Sequence, residues 1–341
     1  MPYQITINQS SAVPKYRQII NCVTSGIERK LIRPDERLPS INEVSFKYDV
    51  SRDTVEKAYR KLKQRGIIMS VPGKGYFPTL GHAGGKRRIL LLFNKLSSYK
   101  KEIFEGFMAQ VGSSAAVDFQ VYHEDYQLFR QLIEEKAGHY SDYVVIPSFK
   151  GQEELMAMDL LRKHLPADRL WLLNRDLPGF GQKRGAVFQH YEKDIFSALH
   201  EADRMLQKYK RLHLIFPTYS NYSRGIIRGF QNFCLSKSWA SRITYKDFEH
   251  VPVERATAYV VILDNDLVSL VKKIKEAGWE AGRQVGVLAY NDSPLKEVLL
   301  DGITVMSSRH KEMGSRLACM LTSNQPGTIE NQFDLIVRQS L

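Results

Sequence analysis

Residues 34–77 read PDERLPSINEVSFKYDVSRDTVEKAYRKLKQRGIIMSVPGKGYF, and their punctuation divides them into short elements. Ser40, with Glu43 three residues on, is a capping box opening a helix that buries Ile41, Val44 and Tyr48. A break at Asp49 and Val50 leads to Ser51, the N-cap of the next helix. Its apolar stripe is Val55, Ala58, Tyr59 and Leu62, and Gly66 ends it. Ile67 to Val71, a turn at Pro72-Gly73-Lys74-Gly75, and Tyr76-Phe77 then predict a hairpin. Upstream, Tyr16, Ile19, Ile20, Val23 and Ile27 keep helical spacing over residues 14–28, with Pro14 suited to the first turn. Two helices joined by a tight turn and followed by a hairpin predict a winged helix-turn-helix, whose second helix enters a major groove N-terminus first.

Charge concentrates in this part of the chain. Residues 1–80 carry fourteen Lys and Arg against seven Asp and Glu, whereas the other 261 residues carry 35 against 30. A small basic module ahead of a large, nearly balanced one predicts a polyanion partner for the first. Ser51, Arg52 and Thr54 occupy the opening turn of the groove-entering helix. Hydroxyls and free backbone N–H groups hold phosphates there, and Arg52 can present a bidentate fork to a guanine edge. Lys74, between Gly73 and Gly75, makes a slim positive wing tip for a minor groove or the backbone. The plainer alternative makes Arg52, Glu56, Lys57, Arg60 and Lys61 the solvated face of a helix. Helices, caps, wing and charge agree on operator DNA instead.

The same string resembles the DNA-binding domain of the GntR family of bacterial transcription regulators. The most specific parts are RLPS (37–40), VSRDTVEKAYRKL (50–62), Gly66 and GKGYF (73–77). The resemblance implies DNA contacts by Arg37, Ser51, Arg52, Thr54 and Gly75. Asn42 stands where the family usually has Arg.

Other classes fall away. Apolar residues make up 43% of the chain and charged ones 25%, too much hydrophobic mass for a disordered chain. No apolar stretch approaches the roughly 20 residues of a membrane span, and MPYQITINQSS lacks the basic and apolar regions of a signal peptide. Cys22, Cys234 and Cys319 are odd in number and far apart, with no zinc spacing and no disulfide framework, so a reducing cytoplasm is expected. GHAGGKRR (81–88) loosely resembles a phosphate-binding loop. It is one residue short, has Arg87 where Ser or Thr is required, and precedes its strand. It predicts a flexible linker over 81–87, between a DNA-binding domain at 1–80 and a second domain at 88–341. No cofactor, metal site or catalytic constellation is expected.

From Ile89 onward, apolar runs alternate with amphipathic helical stretches. The expected strands are 89–93, 119–122, 143–147, 170–173, 186–189, 212–216, 243–245, 259–263, 285–289 and 303–306. Alternation of this kind predicts parallel sheets covered by helices, and about ten strands in some 250 residues predict two sheets and two lobes. Ligands of such sheets sit beyond the carboxyl ends of the strands. The residues to read there include Ser98, Tyr99, Ser148, Arg175, His190, Tyr219, Arg224, Asp266 and Asn291. The mixture of amides, carboxylates, Arg and aromatics suits a polar small ligand such as a sugar.

Residues 87–341 resemble the effector domain of the LacI/GalR regulators, which shares its fold with periplasmic sugar-binding proteins. The carriers are SDYVVIPS (141–148), LDNDLVSLVKKIKEAG (263–278), QVGVLAYND (284–292), DGITVM (301–306) and FDLIVRQS (333–340). By position in these motifs, the resemblance implies effector hydrogen bonds from Asp266 and Asn291, with Asn291 in place of the family's Asp. Ile226 stands where the family has Arg, and His190-Tyr191 where it often has Asp-Asn.

The expected molecule is an α/β chain: an N-terminal winged helix-turn-helix plus a two-lobed periplasmic-binding-protein-like domain with parallel sheets. The resemblances imply a homodimeric transcription regulator, most commonly a repressor, governed by a monosaccharide (arabinose- or fucose-like) whose binding changes the spacing of the DNA-reading heads. An uncharged sugar is expected, because only Arg175 and Arg224 stand near the strand ends, too few cations for a sugar phosphate. One alternative is a GntR-type regulator of a non-sugar metabolite. The other is a DNA-binding head on an enzymatic domain, for which no nucleophile motif, metal motif or cofactor lysine after a strand is found.

Overall fold

The structure is a computed structural model that describes residues 5–9, 11, 13–29, 31–33, 36–64, 67–71, 73–78, 87–177, 179–217, 221–245 and 251–341. Gly66, Pro72, Tyr219 and all of the expected linker except Arg87 lie outside the described residues.

The head comprises α1 (Lys15–Glu28), α2 (Ile41–Tyr48), α3 (Arg52–Gln64), β1 (Ile68–Val71) and β2 (Gly75–Pro78). The capping box forms in both directions: Ser40 Oγ accepts from Glu43 N, and the Glu43 carboxylate accepts from Ser40 N. Asp49 ends α2 in the left-handed region (φ 50°), which turns the chain into α3. Ile19, Val23, Val44, Val55, Ala58 and Leu62 fill the core between the helices. Leu38 N donates to Tyr76 O (2.8 Å), adding a bridge to the β1–β2 hairpin.

Two six-stranded sheets follow. The first contains β3 (Arg87–Phe93), β4 (Ala115–Val121), β5 (Asp142–Val145), β6 (Leu170–Asn174), β7 (Gly185–Phe188) and β13 (Gly327–Glu330), all parallel, in the order β13-β7-β6-β5-β3-β4. The second contains β8 (Arg211–Ile215), β9 (Ser241–Thr244), β10 (Thr257–Val261), β11 (Val285–Tyr290), β12 (Thr304–Ser308) and β14 (Phe333–Ile336), in the order β14-β12-β11-β10-β8-β9, with only β14 antiparallel. Between strands run α4 (Ser98–Val111), α5 (Tyr126–Lys136), α6 (Gln152–His164), α7 (Tyr191–Leu206), α8 (Gly225–Ser236), α9 (Asp264–Glu276), α10 (Pro294–Val298) and α11 (His310–Thr322).

Successive residues of β3 point into different cores: Leu90 and Leu92 into one, Ile89, Leu91 and Phe93 into the other. Strands covered on both faces explain why these stretches read as continuous apolar runs instead of alternating ones. All ten expected strands are present, shifted by a few residues at their ends. Arg87, assigned to the linker by sequence, already pairs with Ala115 in β3 and donates to Asp142 Oδ2 (3.1 Å). The edge strand β13 went unforeseen because GTIE carries one apolar residue and is mostly exposed.

The chain crosses between the lobes at β7–α7, β12–α11 and β13–β14. Asn331 joins the three crossings. Its N donates to Phe188 O (2.7 Å), and its Nδ2 to Ser308 Oγ (2.8 Å), Arg309 O (3.2 Å) and Gln332 O (3.3 Å). After the second crossing, α11 packs onto α4 so closely that a Cβ on Gly314 would stand 2.0 Å from Ile103 O, and one on Gly106 2.0 Å from Lys311 O. This contact anchors the middle of α4, whose first turn borders the cleft.

Candidate functional site

In the head, Ser51 and Arg52 are exposed at the opening of α3, while Val55, Ala58, Tyr59 and Leu62 face inward. Ser51 Oγ and Thr54 Oγ1 share a hydrogen bond (2.8 Å), so these hydroxyls form one polar edge beside Arg52. The wing is tied to this helix. Tyr59 OH donates to Pro39 O (2.7 Å), and its ring meets Tyr76 edge-on at 4.8 Å. Lys74 is exposed at the tip, between glycines whose φ values of +72° and +106° suit residues without a Cβ. The Arg37 side chain lies 3.5 Å from where a Cβ on Gly75 would be, and pairs with the exposed Glu43 at 3.3 Å. The six sequence-derived DNA contacts therefore lie on the opening of α3 and on the wing with the arginine beside it.

The second candidate site lies between the lobes, where the carboxyl ends of both sheets meet. A pocket of about 30 Å³ is lined by residues including Asn94, Lys95, Tyr99, Lys100, Glu124, Ser148, Asn174, Arg175, Tyr191 and Tyr222. A space of about 280 Å³ shares Lys95, Tyr99 and Tyr222 with it and adds Ser98, Asp264, Asn265, Tyr290, Asn291 and Lys296. Burial raises the phenols of Tyr99, Tyr222 and Tyr290, and that of Tyr191 to about 12. They stay neutral and can both donate and accept.

The two lobes contribute a matched pair of asparagines. Asn174 ends β6 and Asn291 follows β11, both in the left-handed region (φ 66° and 61°) and both buried. The Oδ1 of each is enclosed and accepts no hydrogen bond, as the Tyr290 hydroxyl also lacks a partner. Buried acceptors without donors are costly in a folded chain, and both asparagines belong to the residues that line the cleft.

Cations also converge there. Lys95 pairs with Glu124 (3.1 Å), and Arg175 with Glu154 (2.5 Å) while also donating to Phe149 O (3.1 Å). Lys100 is 2% exposed and donates to Asn94 Oδ1, whose amide Nδ2 donates in turn to Glu124 (2.8 Å). Burial, and then Lys95, push the Lys100 ammonium down to about 7. The expectation of a cation-poor cleft thus does not hold.

Of the sequence-derived ligand residues, Ser98, Tyr99, Ser148, Arg175 and Asn291 line the cleft. His190 is exposed and caps α7, its Nδ1 accepting from Lys193 N (3.3 Å), and Arg224 is exposed at the N-cap of α8; neither lines the two cavities. Asp266 is buried within the first turn of α9 and lines neither cavity, whereas Asp264 and Asn265 line the larger. The helix begins at Asp264, and two further residues turn the side chain about 200° away from the cleft-facing edge. Lys95, Lys100, Glu124 and Tyr191 were missed. For Lys100 a signal existed: with Ile103 and Phe107 it keeps the i, i+3, i+7 spacing of a buried face, so a lysine on an apolar stripe was readable.

Among the described residues no helix is long and apolar enough to cross a membrane, and no group of three or more His, Cys, Asp or Glu could hold a metal ion.

Residues 15–77 match the family described as bacterial regulatory proteins, gntR family, and residues 205–341 match the periplasmic binding protein-like domain. The uncharacterized HTH-type transcriptional regulator YurK of Bacillus subtilis is 38% identical over 71 residues, which cover 21% of this chain and 29% of that protein. The HTH-type transcriptional repressor NagR of Bacillus subtilis is 23% identical over 189 residues, 55% of this chain and 71% of that one. Both are named as HTH-type transcriptional regulators. Among solved structures, the Lac repressor bound to ONPG in the repressed state superposes with a TM-score of 0.61, 14% identity, and coverage of 85% of this chain and 90% of its own. That likeness establishes the two-lobed fold.

Proposed function

We propose that this chain, which joins a gntR-family DNA-binding domain to a periplasmic binding protein-like domain, is a ligand-controlled transcriptional repressor. The DNA-binding domain spans residues 1–80 and the ligand domain 88–341. The chain works as a homodimer on operator DNA. Ser51, Arg52 and Thr54 meet the major groove and its phosphates, and Lys74, Gly75 and Arg37 bring the wing to the backbone or minor groove.

The effector is a small polyhydroxylated molecule of monosaccharide size held between the lobes. One observation carries this reading: Asn174 and Asn291, one from each lobe, present enclosed Oδ1 atoms without donors beside neutral tyrosine hydroxyls. A ligand that donates to both asparagines binds the closed arrangement better than an open one, and only such a difference can shift the equilibrium between them. In a dimer, closure alters the distance between the heads and hence the fit to two half-sites.

A thermal-shift screen against sugars, sugar acids and sugar phosphates tests it, with operator binding followed by gel shift. A true effector at 100 times its dissociation constant adds about 2.7 kcal/mol, which raises the melting temperature by roughly 5–10 °C, and changes operator affinity. If no polyhydroxylated compound moves either quantity, the reading is wrong.

A further inference from the structure

We infer that the effector of this cleft carries a single carboxylate, and that Lys100 is the group that receives it; the inference rests on the proposed effector site between the lobes. Three observations place an anion at this end of the cleft. First, Lys100 is enclosed, lines the narrow pocket, and carries three donors, yet Asn94 Oδ1 is its one hydrogen-bond acceptor among the described residues. Second, the carboxylate that lines the pocket with it, Glu124, is already committed to Lys95 and the Asn94 amide. No carboxylate among the described residues lies within ion-pair distance of the Lys100 ammonium, so a buried charge is left without a counter-ion. Third, Lys100 belongs to the first turn of α4, a 14-residue helix whose opening N–H groups lack intrahelical acceptors and favour negative charge.

One ammonium without a counter-ion matches the single negative charge of a carboxylate better than the double charge of a phosphate. The hydroxylated remainder then occupies the 280 Å³ space, where Tyr99, Tyr222 and Asn291 meet it. The effector class is a polyhydroxy carboxylate, a sugar acid, instead of the neutral sugar read from the sequence.

The ammonium titrates near neutrality in the free protein, facing Lys95, Glu124, Tyr99 and the buried His310, which burial holds neutral with a value of about 3. A bound carboxylate favours the protonated lysine. Acid binding should therefore weaken about tenfold from pH 6 to pH 8 as the free lysine loses its proton.

The test is calorimetry and thermal shift on the full chain with hexuronates and aldonates, the matching neutral sugars, and the matching sugar phosphates. The expected result is a shift with an acid alone, an affinity falling about tenfold from pH 6 to 8, and at least a tenfold loss of that affinity in Lys100→Met. Lys100→Met removes a buried charge that lacks a counter-ion but also the donor to Asn94 Oδ1, so Lys100→Gln, which keeps an N–H donor, is measured beside it, with the melting temperature of both. A shift from neutral sugars or phosphates but not from acids overturns the carboxylate while leaving the effector site standing. An acid that binds Lys100→Met and Lys100→Gln as tightly as the parent overturns the role of Lys100. No shift from any class removes the effector site itself.

Discussion

Each lobe buries a lysine near the start of a helix beside the cleft, and the two are used differently. Lys296 of α10 is 3% exposed and well compensated: its ammonium donates to Tyr290 O (3.2 Å) and Asn291 O (2.8 Å) and pairs with Asp264 (2.9 Å). Lys100 of α4, buried to the same degree, meets a single amide oxygen. Lys296 holds the strand end that carries Asn291, so it is part of the scaffold. Lys100 is left incomplete by the protein, and a buried donor left incomplete beside a cleft is completed by what enters it. Burial alone therefore does not separate a structural cation from a binding one; the inventory of acceptors does.

The comparison breaks most sharply at Lys296. Lys296→Met strips the partner from two carbonyls and a carboxylate and should cost about 3 kcal/mol, lowering the melting temperature by roughly 6–12 °C; Lys100→Met, which strips one amide oxygen and removes a charge without a counter-ion, should lower it less. Equal losses in the two variants would erase the distinction. A head variant isolates the lobes from the DNA-reading surface. Arg52→Ala removes one bidentate base contact, about 1–3 kcal/mol per head, and gel shifts should show operator affinity falling while the effector-induced thermal shift is retained.

Next come the paired asparagines. Asn174→Gly and Asn291→Gly keep a residue that tolerates positive φ while deleting the amide, so each should weaken effector binding by about tenfold, or 1.4 kcal/mol. Calorimetry on both variants tells whether the two lobes share the ligand equally. The smallest effect is at the wing: Lys74→Ala should weaken binding to all sequences a few-fold and reduce the magnitude of the salt slope by about 1.

Asp194, in the first turn of α7, supplies a pH control from the lobe built on the second sheet. Burial, and then Glu330, raise its carboxyl to about 7, above its ordinary value near 3.8. A carboxyl raised by folding supports the fold fully below its unfolded value and loses that support as pH rises toward 7. Asp194→Asn should therefore raise the melting temperature at pH 8 relative to the parent and leave little difference at pH 4, as read by calorimetric scans at both pH values.

Legibility followed the range of the interactions. The capping box at Ser40 and Glu43, the stripe of α3 and the ten strand runs rest on neighbours within a few residues, and all were readable. Asp266, expected at the cleft, lies about half a turn from its edge because α9 begins at Asp264, two residues earlier than the sequence predicts. His190 was read as a ligand group because it follows a strand, yet it caps the helix that follows.

By itself the sequence determined the winged head, its exposed basic edge and the alternation that demands two helix-covered parallel sheets. Periodicity, caps and charge are local properties, and they survive being read one residue at a time. Only the tertiary structure decided which polar residues share the cleft. Lys100 lacks a carboxylate because Glu124, 24 residues away in the chain, is spent on Lys95 and the Asn94 amide. Asn174 and Asn291 come to the cleft from separate lobes, joined by three crossings tied together at Asn331. Charge compensation is a sum over neighbours in space, and no spacing along the chain records that sum.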